Sequence, residues 1–146
     1  MGATTFSGPV RAGTQRYNAE ANVGNVVLSQ SYDSGDLTGD ATGNHDALLG
    51  YLPAGSQIVD IVVDQVVAAA TGTTTVSVGT TSGGAELMAA VATTAGGRFR
   101  GTPTAATQLA WQTSTAADTA VYVRNAVGTD ALTAGRFIVT VLYVQK

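Results

Sequence analysis

Arg136-Phe-Ile-Val-Thr-Val-Leu-Tyr-Val144 is the stretch from which the fold of this chain is read. It holds no glycine or proline, and strand side chains alternate with period two. Phe137, Val139, Val141 and Tyr143 therefore share one face, and Ile138, Thr140, Leu142 and Val144 the other. β-Branched and aromatic residues of this kind suit a pleated surface. Apolar residues on both faces predict a strand covered on both sides, inside a sandwich or at a subunit interface. A second β-rich run, Thr119 to Ala126, sets Val121 and Val123 against Tyr122 and Arg124. The two runs are expected to close the domain as a strand pair across residues 127–135. Such a pair is marginal alone and needs further strands to bury its apolar face.

Those strands lie upstream. Gln57 to Ala68 alternates Val59, Ile61, Val63 and Val67 with Ile58, Asp60, Val62, Asp64 and Val66, which predicts one apolar and one half-solvated face. Pro53-Ala54-Gly55 before it is a turn, since proline presets φ and glycine accepts positive φ. Thr71-Gly72 after it predicts a hairpin into Thr73–Thr80. Asn22 to Tyr32 reads as a first strand and Ala47 to Leu52 as a short strand or turn. Ala85 to Ala92 has helix-forming composition but is too short to exclude a strand. Arg98 to Trp111 has no regular pattern, although Leu109 and Trp111 are expected to pack. The whole predicts an all-β, antiparallel sandwich or barrel of six to eight short strands. Residues 1–22 read either as a loose terminus or, as expected here, as an extended N-terminal arm that orders only against a neighbouring chain through Phe6 and Tyr17, with residues 23–146 as the β-domain.

Composition narrows the function. The chain has 146 residues, enough for one domain with a true core. Apolar residues make up 45% and charged ones only 12%, so it should fold rather than remain disordered. The net charge is −3, and the arginines are dispersed, so no basic patch for nucleic acid is expected. With no cysteine, disulfides and thiolate metal sites are excluded. Neither a signal peptide nor a membrane-spanning stretch is expected, because Asp60, Asp64 and Gln65 interrupt the longest apolar run. The reading is of a soluble protein synthesised in the cytoplasm.

Sites for chemistry are sparse. Asp33, Asp36, Asp40 and Asp46 share a glycine-rich loop with His45, the lone histidine. Calcium favours such oxygen ligands, but the spacing does not follow the EF-hand and aspartate is a common turn residue. No metal or other cofactor is expected. His45 lacks a recognisable nucleophile and orienting partner, so no catalytic residues are assigned and the chain is not expected to be an enzyme. Arg98 and Arg100 flank Phe99 and should project from one side of an extended segment. They either pair with carboxylates of this chain or form a contact surface for an acidic partner. Trp111 is expected in the core, the alternative being a sugar platform.

Thr5-Phe-Ser-Gly-Pro-Val-Arg11, Leu52-Pro-Ala-Gly-Ser-Gln-Ile-Val-Asp-Ile-Val-Val63 and Leu132-Thr-Ala-Gly-Arg-Phe-Ile-Val-Thr-Val-Leu-Tyr-Val144 together resemble small virion proteins of tailed bacteriophages. The chain looks like a capsid decoration (cement) protein. The resemblance implies a jelly-roll-like sandwich, a homotrimer on the capsid exterior, and the major capsid protein as partner. It also implies that the protein stabilises the head and works neither on nucleic acid nor on a membrane. Phe6, Val10, Arg11, Arg16 and Tyr17 of the arm, with Arg98 and Arg100, are the expected capsid or inter-subunit contacts. The same likeness extends to head-fibre and tail-associated modules. On that alternative the protein binds a receptor or carbohydrate, with Trp111, Tyr51 or Tyr122 as the platform.

Overall fold

The computed structural model describes residues 26–70, 74–100, 105–113 and 115–145. The expected arm lies outside them, with Phe6, Val10, Arg11, Arg16 and Tyr17. Eight strands are found among the described residues: β1 (Val27–Asp33), β2 (Gly43–Leu52), β3 (Ser56–Ala70), β4 (Thr74–Gly79), β5 (Met88–Ala92), β6 (Gly97–Arg100), β7 (Thr119–Val127) and β8 (Ala134–Gln145). A short helix, α1 (Ala105–Gln112), lies between β6 and β7.

Two four-stranded sheets result, with order β1-β8-β3-β6 in the first and β2-β7-β4-β5 in the second. All pairings are antiparallel. First pairs with last, second with seventh, third with sixth and fourth with fifth, as in a long hairpin rolled up on itself. This is the arrangement of a jelly roll, the double-sheet solution in which viral capsid and lectin domains are built. It meets the all-β sandwich expected from strand spacing.

The core lies between the sheets. Phe137, Val139, Val141 and Tyr143 of β8 are buried on the face that alternation assigned them. They meet Val121 and Val123 of β7 and Val76 and Val78 of β4 within one apolar cluster. The other face of β8 is partly covered, with Val144 buried and Ile138 and Leu142 half-buried.

Four expectations are corrected. β7 and β8 do not form a closing pair, because they lie in opposite sheets. Each has its own inward face to bury, and the connection between them sends Leu132 into the core. β3 and β4 likewise belong to different sheets and make no hairpin. Thr93 bridges the gap, since its amide donates to the Thr74 carbonyl while its own carbonyl accepts from the Ala69 amide. Third, the faces of β3 are not a single alternation. The register against β8 shifts between Ile58 and Asp60 and again between Gln65 and Val67. A bulge adds a residue and turns the following side chains to the other face. Ile58, Ile61, Val63 and Gln65 consequently point inward, whereas Val59 and Val67, assigned to the apolar face, are exposed. Fourth, Arg98–Trp111 is not wholly irregular: it carries β6 and α1, and Leu109 is exposed on α1. The ambiguous Ala85–Ala92 supplies a strand, β5, whose Met88 is buried.

Candidate contact surfaces

The charged side chains are disposed as ion pairs across neighbouring strands. β6 sits at one edge of the first sheet, with Arg98 directly opposite Asp64 of β3. Arg98 grips that carboxylate with Nε at 2.6 Å and Nη2 at 3.0 Å, and Arg100 reaches Asp60 at 3.3 Å. Both arginines thus take the intramolecular option left open by their spacing. Their side chains nonetheless remain about two-thirds exposed (64% and 65%), so the outer edge of β6 presents two charged heads to solvent.

The same chemistry fastens the strands that flank the loop between β1 and β2, which is shorter than expected because His45 and Asp46 already belong to β2. Arg136 of β8 holds Asp33 with Nε and Nη2 at 3.1 and 2.6 Å. Arg124 of β7 holds Asp46 at 2.7 and 3.0 Å, and Ser82 donates to the same carboxylate at 2.7 Å. The hydrogen bonds from these arginines hold both carboxyls well below the usual range, at about 2. Between them, Asp33 accepts from the Gly35 amide and Asp36 from the amide and hydroxyl of Thr38. The aspartates of the loop therefore act as turn formers and strand clamps. Among the described residues no three carboxylate or imidazole side chains are gathered to hold a metal ion. His45 is exposed, and its Nε2 lies 3.0 Å from the Ala41 carbonyl oxygen.

Trp111 packs against the core from α1, and its indole N–H donates to the Leu87 carbonyl at 2.7 Å. Trp111 is half-buried against the core, Tyr122 is also half-buried, and Tyr51 on β2 is exposed. Apolar exposure concentrates where the first edges of the two sheets meet. Val26, Val27 and Leu28 at β1 and Leu48 and Tyr51 on β2 are all exposed. Gln30 ties these edges together by donating to the Tyr51 carbonyl at 2.7 Å. This strip was missed because exposure at an edge follows from strand order, which the runs Asn22–Tyr32 and Ala47–Leu52 do not encode.

One polar residue was also overlooked. Asn125 continues the inward face of Val121 and Val123 and is 4% exposed, yet neither amide atom has a hydrogen-bond partner. A polar residue at an inward position of an alternating strand was the signal that could have drawn attention to it.

No family model matches the chain, and no curated protein matches it either. Solved structures do. A chain of the cyanophage Pam1 capsid asymmetric unit is similar over 100% of both chains, with a TM-score of 0.66 and 21% identity. A chain of the Ralstonia phage GP4 capsid has a TM-score of 0.59 and 23% identity, over 94% of this chain and 92% of that one. A chain of the acid-stable capsid of Helicobacter pylori bacteriophage KHP30 has a TM-score of 0.56 and 17% identity, over 82% of this chain and 87% of that one. The fold of this protein is thus one that also occurs in phage capsid structures.

Proposed function

We propose that this chain is a structural, non-enzymatic virion protein, a decoration protein that binds the outside of a phage's major capsid protein lattice and stabilises the head. The observation that carries the reading is the jelly roll, matched along its whole length by a chain of a phage capsid asymmetric unit. The surface fits a role in contact. Four arginine–aspartate pairs neutralise part of the charge within the chain. Flat apolar strips at the β1/β2 edge and the half-covered outer face of β8 are then available for subunit contacts of modest strength. Repetition over a shell converts such contacts into firm attachment. A homotrimer is the proposed unit, with the residue 1–22 arm reaching the lattice or a neighbouring protomer and Arg98 and Arg100 as further contacts.

Light scattering of the purified protein, alone and with shells that lack it, tests this directly. A trimer that saturates shells at fixed stoichiometry is expected. A monomer that ignores shells would overturn the proposal and favour a receptor- or carbohydrate-binding module, for which exposed Tyr51 is the structural argument and a glycan array the next measurement.

A further inference from the structure

Residues 34–42, between β1 and β2, border a cavity of about 160 Å³ at one end of the sandwich. Four of its lining residues are buried: Leu37, Val123, Asn125 and Phe137. Tyr32, its ring centroid 6.3 Å from that of Phe137, and Ala47 are half-buried beside them. Of the four buried residues only Asn125 is polar. Alternation puts it there, since Val121, Val123 and Asn125 follow one another on the inward face of β7. It is 4% exposed, and neither its Oδ1 nor its Nδ2 has a hydrogen-bond partner.

A buried amide in this state is costly, because its donor and its acceptor have both left water without replacement. The chemistry around it constrains what would answer it. Asp46 is held by Arg124 and Ser82, and Asp36 accepts from Thr38, so the unmet hydrogen bonds belong to a neutral group. Asp36 and Asp40 also line the cavity and disfavour an anion there. Buried water is held where two to four polar groups converge, whereas here one polar side chain stands among three apolar ones. A carboxamide offers an acceptor and N–H donors in one plane. Its full complement presents an N–H and a C=O side by side, as a cis-amide does. Turning the Asn125 amide over exchanges its two atoms without altering that demand. The volume suits a single small ring, since an apolar cavity of about 150 Å³ accepts benzene.

We propose that this cavity is a binding site for a small neutral molecule carrying a cis-amide on a ring-sized apolar body, the class to which lactams belong. Asn125 pairs with the amide through two hydrogen bonds, and Leu37, Val123 and Phe137 cover the carbon skeleton. Apolar walls with a single placed polar group are the usual composition of such a site. The inference is independent of shell binding and is tested on the protein alone.

The full-length, isotope-labelled protein is titrated by nuclear magnetic resonance with δ-valerolactam and, separately, with cyclohexanone, which keeps the ring and carbonyl but lacks the N–H. The side-chain amide signals of Asn125 are identified by their loss in Asn125→Leu, and the backbone amides of Val123 and Phe137 report beside them. Saturable shifts with the lactam are expected, with a dissociation constant of about 1 mM for so small a ligand. Cyclohexanone should bind about tenfold more weakly, as for the loss of one hydrogen bond. In N125L, whose side chain has nearly the same shape, the lactam should lose at least about tenfold in affinity while circular dichroism shows the fold intact. Asn125 signals that do not move with the lactam, equal affinity for the two ligands, or lactam binding unchanged in N125L would overturn the proposal. The contrast between the two ligands is measured on the unaltered chain, so it decides the matter even if N125L does not fold.

Discussion

Asp33 and Asp46 tie distant parts of the chain together, and their chemistry sets an acid limit. Both are held at about 2, below the ordinary 3.8, by hydrogen bonds from Arg136 and Arg124. A group whose folded pKa is depressed contributes stability above its unfolded pKa and loses it as pH falls through the folded value. Thermal melts should therefore be nearly constant from neutral pH to about 5 and fall between about 4 and 2. The Asp33→Asn/Asp46→Asn double variant should melt lower at pH 7 and show a shallower acid decline. An unchanged decline would locate the acid sensitivity elsewhere. Trp111 offers a second residue-scale test. Trp111→Phe keeps an aromatic ring against the core but removes the donor to the Leu87 carbonyl. A loss of about 1 kcal/mol in denaturant unfolding is expected, as for one hydrogen bond. The wild-type indole should fluoresce to the blue of a fully solvated one.

Among the elements, β3 shows how backbone irregularity overrides side-chain pattern. Its register shifts against β8 let one long strand present an inward face despite Asp60, Asp64 and Gln65 in its sequence. The turn that launches it depends on Gly55, at φ 81°, whose amide donates to the Thr115 carbonyl at 2.8 Å. A side chain in that left-handed conformation costs about 1–2 kcal/mol. Gly55→Ala should lower stability by that amount in urea unfolding, with the slope unchanged because the surface exposed is the same. Pro53, Ala54 and Gly55 announced this turn in sequence, and its chemistry is entirely local. The pairing of β3 with β8 and β6 was not announced, since no local signal encodes a partner so far along the chain.

For the whole molecule the proposed role turns on whether a β-sandwich that carries little net charge binds to a phage shell, and through which residues. Deleting residues 1–20, the proposed arm, leaves every strand found among the described residues in place. The deletion variant should keep the circular dichroism spectrum of the full chain and lose binding to shells. Unchanged shell binding would assign attachment to the sheet edges, where Val27, Leu28, Leu48 and Tyr51 are exposed. The candidate contacts were only partly legible beforehand. Arg98 and Arg100 were visible as an alternating pair. Their partners Asp64 and Asp60 became evident only once β6 lay alongside β3.

Alternation along 136–144 and 119–126, turn residues between strands and low charge were enough to determine an all-β sandwich of about this many strands. Those features are local, because period two and turn chemistry act over a few residues. Which strands share a sheet, where β3 bulges, and which apolar side chains remain at an edge were decided by tertiary structure alone. Sequence neighbours β7 and β8 separate because each gains more by facing the other across the core than by lying beside it. Burial of both inner faces is a property of the assembled sheets, and it has no representation in any single stretch of the chain.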